Sequence, residues 1–164
     1  MEEAPRKIVK LADVEAPQAV VWDTWTTTTG AETFLSPDAN ISAEIGGLYE
    51  LFFAPNAAEG DSKGTAGCTV LAAVPIRKLT FEVIAPPSLG LGDAKTPVTV
   101  RLIPLSDELT RVQVVHEGFV EGPGWDDAHF YYTELWMATL TRLRKRFDEG
   151  PVDWSTDGAD FEWQ

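Results

Sequence analysis

The chain carries a single cysteine, Cys68, and only two histidines, His116 and His129, among its 164 residues. One thiol excludes an internal disulfide and any zinc site built from several cysteines. Cys68 sits in "GCTVLAAV", an apolar run of strand type, so a buried and inert thiol is the expected reading. No apolar run approaches the roughly eighteen residues that a membrane-spanning helix needs. The opening "MEEAPRKIVK" lacks the apolar centre of a secretory signal, and a cytoplasmic protein is expected. Positive charge is scarce too: 13 Lys and Arg stand against 26 Asp and Glu, a formal net charge of −13. That balance argues against nucleic acid or an anionic membrane as partner, since both are bound by basic surface that displaces counterions. The one dense basic stretch is "RLRKRF", 142–147, where cations near the end of a helix favour its dipole.

What is present is a run of strands between helices. "RKIVKLADVEAP" alternates loosely up to Pro17, and "PQAVVWDTWTT" follows as a short helix with Val21, Trp22 and Trp25 at helical spacing. The β-branched run Thr26–Thr29 and Gly30 are expected to end it, with a second short turn over 31–35. "NISAEI" and "LYELFFAP" flank Gly46-Gly47 as a hairpin. "TAGCTVLAAV" and "KLTFEVIA" join through Pro75, and "PVTVRLIPL" and "LTRVQVVHEGF" join through "SDE". Two segments rich in Gly, Pro and Asp, 56–64 and 86–96, are expected to be mobile loops. In the long segment before Gly150-Pro151, residues Trp125, His129, Tyr132, Trp136, Leu140, Leu143 and Phe147 form a helical stripe. The reading is therefore α+β: an antiparallel sheet of about seven strands whose bare face must be covered by the long helix. One domain over 6–149 is expected, followed by an acidic tail, 150–164, with Trp154, Phe161 and Trp163. Those rings either pack back on the domain, the favoured reading, or dock a partner.

Several pieces resemble, in the right order, the START-like (SRPBCC, helix-grip) superfamily and within it the family related to the activator of heat-shock protein 90 ATPase. They are "VEAPQAVVWDTWT", "EIGGLYELFF", "KLTFEV", "VTVRLIPLSDELTRVQVVHEGF" closing on His116, and "LWMATLTRL" through Trp136, Leu140 and Leu143. The resemblance runs from about residue 8 to 147. It departs at Phe34-Leu35, where the family has a Trp-Phe pair, and at Leu135, where it has glycine. It implies a helix-grip fold in which a curved sheet holds the long helix and encloses a hydrophobic cavity. It also implies a co-chaperone relationship, and it carries over no catalytic set.

The stretch "HEGFVEGPGWDDAH", 116–129, is the one concentration of metal-type side chains. His116 and Glu117 are strand neighbours and point to opposite faces, so a site could at best combine His116, His129 and Asp126. Those three lack a recognised ligand spacing, and Asp126 and Asp127 have a simpler role at the start of a helix. No metal and no cofactor are assigned. The histidines are either polar spots in an apolar cavity, with Tyr132 one turn further in, or hydrogen-bonded core residues. A histidine that titrates near neutrality could serve as a general acid or base, but nothing in the sequence supplies a nucleophile or a partner for it.

The expected function is non-enzymatic binding of a small hydrophobic molecule between sheet and helix. Trp25, Phe34, Phe53, Phe81, His116, Trp125, His129, Tyr132 and Trp136 are expected to line the site. A co-chaperone-like interaction module that stimulates a chaperone ATPase is the alternative, with a chaperone or self-association as partner. A cyclase or hydrolase type of enzyme is a further one.

Overall fold

Alternation of period two along four segments decides most of the main sheet. The computed structural model describes residues 6–156 and residue 163, so Phe161 of the tail lies outside the described residues. The strands are β1 (Arg6–Val14), β2 (Asp38–Ile41), β3 (Tyr49–Phe52), β4 (Val70–Val74), β5 (Lys78–Val83), β6 (Thr96–Ser106) and β7 (Leu109–Phe119). Five of them form an antiparallel sheet in the order β1-β7-β6-β5-β4, and β2 and β3 form a two-stranded sheet of their own. The two are tied by the bridge Leu48↔Thr69 and by Tyr49 N–H donating to the Cys68 carbonyl at 2.8 Å. On the inner face Leu79, Phe81 and Val83 of β5, Val98, Val100 and Leu102 of β6, and Val112, Val114 and His116 of β7 are buried.

The long helix α3 (Pro123–Glu149) covers that face. Pro123 stands in its first turn, where a missing N–H costs nothing, and Gly150, at φ 109, ends it before Pro151. Its buried side is Ala128, Tyr132, Leu135, Trp136, Thr139, Leu140 and Leu143. The expected stripe was therefore turned slightly: Leu135 points fully inward, while Trp125, His129 and Phe147 are only half-buried. The basic stretch is more than a solvated helix end, because Arg142 donates from Nε to the Phe34 carbonyl at 2.8 Å and lies over the Trp154 ring.

The region between β1 and β2 departs from the sequence reading. Helix α1 (Gln18–Thr26) ends as expected, but a one-turn helix α2 occupies Thr28–Ala31, beginning within the β-branched run and continuing through Gly30. The Thr27 hydroxyl explains it, accepting the Gly30 N–H at 3.0 Å and so capping the turn. The β2–β3 hairpin forms, with its connection spread over 42–48 rather than closed on two residues. Gly47 is required there, since a Cβ would meet the Ser42 carbonyl oxygen at 2.2 Å. Cys68 is fully buried and burial pushes its thiol up to about 11, which leaves it protonated and unreactive.

Candidate functional site

β7 brings His116 inward by alternation, and α3 brings Tyr132 and Trp136 down onto it one turn apart. The Trp136 indole N–H donates to His116 Nδ1 at 3.0 Å. An indole N–H can only donate, so Nδ1 is the bare nitrogen and the proton sits on Nε2. Nε2 in turn donates to the Thr96 hydroxyl at 2.7 Å. Burial, helped by the neighbouring His129, pushes the His116 pKa down from 6.5 to about 3. His116 is thus a neutral residue with both ring nitrogens committed. Around it stand Phe119, with ring centroids 4.6 Å apart, and Tyr132 at 4.7 Å. The Tyr132 hydroxyl donates to the Ile84 carbonyl, which fixes the helix against the end of β5.

Both histidines touch the Phe119 ring, His116 at 4.6 Å and the half-buried His129 edge-on at 5.1 Å. Asp126 turns outward to pair with Arg6, so the trio of His116, His129 and Asp126 does not assemble. Among the described residues no group of three or more His, Cys, Asp or Glu is placed to hold a metal ion.

The other expected site residues fall into three places. Trp25 and Phe34 pack edge to face at 4.9 Å, and Tyr49 donates to the Trp25 carbonyl at 2.6 Å. Tyr49 stacks on Phe81 at 4.0 Å, and Phe81 reaches Trp136 at 6.4 Å. Aromatic rings therefore fill the space between sheet and helix, each fully buried one contributing roughly 2–3 kcal/mol of stability. Phe53 stands apart, at 5.6 Å from the Trp163 ring. Trp125 lies at the start of α3 over the loop that precedes β6.

The cavity expected between sheet and helix is corrected by this packing. At the His116 end, beneath the 86–96 segment, the space amounts to about 10 Å³, lined by Ala85, Leu91, Ala94, Thr96, Phe119, Trp125, Ala128 and Tyr132. That is room for one water at most, not the few hundred cubic ångströms of a ligand pocket. Leu91 and Ala94 roof it, and the roof sits close because α3 has a glycine there. A Cβ on Gly124 would meet the Leu89 carbonyl oxygen at 2.8 Å and Leu91 Cδ2 at 3.0 Å. Of the lining residues, Thr96, Phe119, Leu91, Ala94, Ala85 and Ala128 carried no chemical signal in the sequence. Only the position of Thr96 at the start of β6, near the end of β7 in the register Val98↔His116, could have pointed to it.

The model of the family described as Activator of Hsp90 ATPase homolog 1-like protein matches residues 15–148. No curated relative matches the sequence. Among solved structures, the protein MLL2253 from Mesorhizobium loti is 20% identical, with a TM-score of 0.69 over 90% of this chain and 100% of that one. The Aha1 dimer from Colwellia psychrerythraea is 16% identical, with a TM-score of 0.67 over 88% and 98%. CalU16 from Micromonospora echinospora is 19% identical, with a TM-score of 0.64 over 91% and 78%. Identities this low speak to the fold, a curved sheet closed by one long helix, while the match over 15–148 speaks to kinship. The chain belongs to the family of Activator of Hsp90 ATPase homolog 1-like proteins.

Proposed function

We propose that the chain binds a small hydrophobic molecule, without chemistry, at the His116 end of the space between sheet and α3. What supports this is the roof: the apolar wall at that end is closed by a loop segment rather than by a strand or helix, so a gap of about 10 Å³ in the closed state has a part that can lift. Gly90 and Gly92, at φ 73 and 61, give that segment two hinge points, and Leu91 between them is its plug. A ligand enters by displacing Leu91, and an apolar group replaces an apolar group at little cost. Polar orientation comes from the Thr96 hydroxyl, which lines the gap, while His129 touches the Phe119 ring that forms part of the wall. His116 supports the wall rather than the chemistry, because neither of its nitrogens is free and it stays neutral above about pH 3.

Native mass spectrometry of the freshly purified protein, beside the same sample denatured, tests the proposal. A discrete excess mass that vanishes on denaturation identifies the ligand. A bare mass from cells grown in several media, together with no mass gain from a panel of apolar small molecules, counts against it.

A second reading has its own support. Phe130 is 68% exposed on α3 and Met137, seven residues on, is 47% exposed, so two large apolar side chains face outward along one side of the helix. That arrangement favours a protein-docking face of the co-chaperone kind, and self-association is its simplest form. Chaperone ATPase rates that do not change on addition of the protein, with a monomeric mass at high concentration, would remove this reading.

A further inference from the structure

Trp163 lies beyond the residues matched by the family model, yet its ring is buried inside them. It is only 4% exposed, and its indole N–H donates to the Ser62 hydroxyl at 2.8 Å. Phe53, at the end of β3, lies at 5.6 Å, and Tyr131 of α3 meets the ring at 66°. The seat is therefore made by the domain, and the ring is supplied from outside it.

The seat is selective in a readable way. The Ser62 hydroxyl uses its own proton on the Gly64 carbonyl at 3.2 Å, which leaves a lone pair directed at the ring. An aromatic group with an N–H satisfies that lone pair directly, and one without leaves the half-buried hydroxyl to water in the groove. From the edge of the ring a groove of about 730 Å³ runs outward over Ala57, Ala58, Gly60 and Pro87. Small side chains keep it open, and its volume falls in the range of roughly 300–1,000 Å³ that small molecules occupy. Asp61 lines it, on a chain whose net charge is −13, so a cationic arm is favoured there.

We propose that this seat is a binding site for an indole-type ring with a cationic side arm, and that Trp163 occupies it in cis. It meets the 86–96 segment only at Pro87, and none of its residues lines the gap beneath that segment, so it stands or falls without that site. Trp163 then acts as a built-in competitor, holding the ring position beside a groove that is open among the described residues. Exchange needs no change in the sheet, since the ring sits on the rim between β3, the 54–62 segment and α3.

The test uses the full chain and tryptamine as probe, followed by ¹H–¹⁵N NMR. In Trp163→Ala, tryptamine is expected to bind saturably, moving resonances of Phe53, Ser62 and Tyr131. In the unchanged protein it is expected to bind at least about tenfold more weakly, and to move the indole N–H signal of Trp163 itself. A naphthalene analogue lacking the ring N–H is expected to lose about tenfold against tryptamine, the worth of one hydrogen bond. Trp163→Phe keeps the apolar bulk in case the alanine variant does not fold. Its ring cannot reach Ser62 with a donor, so tryptamine is expected to displace it more readily than Trp163. A folded Trp163→Ala that binds no tryptamine overturns the proposal, and so do shifts that map away from the seat. Equal affinity in Trp163→Phe and the unchanged protein overturns it as well.

Discussion

At the scale of single residues, His116 is held by partners twenty positions away on either side, Thr96 and Trp136. Its inward direction was legible, because Val112, Val114 and His116 alternate on one face of β7. Its role was not legible, since no local pattern ties the threonine that opens β6 to an indole in the middle of α3. Two measurements follow from the geometry. Thr96→Val keeps the shape and removes the acceptor of the Nε2 proton, leaving a buried N–H without a partner. It is expected to cost about 1–3 kcal/mol in chemical denaturation. The second is pH dependence. The folded-state pKa of His116 lies near 3, below its ordinary 6.5, so the unfolded chain takes up a proton that the folded one refuses. Stability from this group is complete above about pH 6.5 and falls as pH drops toward 3, by roughly 1 kcal/mol per pH unit inside that window. Denaturation of His116→Gln between pH 6.5 and 5, above most carboxylate titrations, is expected to show a flatter profile than the unchanged protein. Parallel profiles would mean that His116 is protonated in the fold.

At the scale of elements, the sequence announced those whose pattern is local. β5, β6, β7 and α3 were readable from alternation and from helical spacing, and their registers follow from short turns such as the one between β6 and β7. The one-turn helix α2 was hidden, because a threonine cap outweighs the low helix propensity of its neighbours. The β4–β5 turn holds a cost that sequence did not reveal: Ile76 has φ 72, a left-handed conformation that a β-branched residue rarely takes. The Gln18 side-chain amide holds its carbonyl at 2.9 Å. Ile76→Gly relieves the strain and is expected to gain up to about 1 kcal/mol, read as a higher denaturation midpoint. The 86–96 segment depends on its close approach to α3. Gly124→Ala places a methyl against the Leu89 carbonyl and is expected to lift the segment. Hydrogen exchange should then quicken over 86–96 and stay unchanged in β6 and β7. Uniform quickening would show that the segment is not a separate moving part.

At the scale of the whole molecule, the sheet and helix were foreseeable from period and order, and the fullness of the space between them was not. Periodicity tells which side chains turn inward but not whether their volumes leave a gap, and here Trp25, Phe34, Tyr49, Phe81, Tyr132 and Trp136 leave little. The tail behaved as the favoured reading had it at two of its rings. Trp154 donates to the Glu32 carbonyl at 2.6 Å and Trp163 to Ser62, both against the body of the protein. The central claim is that a small apolar ligand enters where Leu91 now sits. Titration of N-phenyl-1-naphthylamine, a neutral probe that brightens in apolar surroundings, tests it across three proteins. Leu91→Ala is expected to bind more tightly than the unchanged protein, and Ala94→Phe, which fills the roof, to bind far more weakly. If all three bind the probe alike, or none binds it while all remain folded, the ligand site is not there.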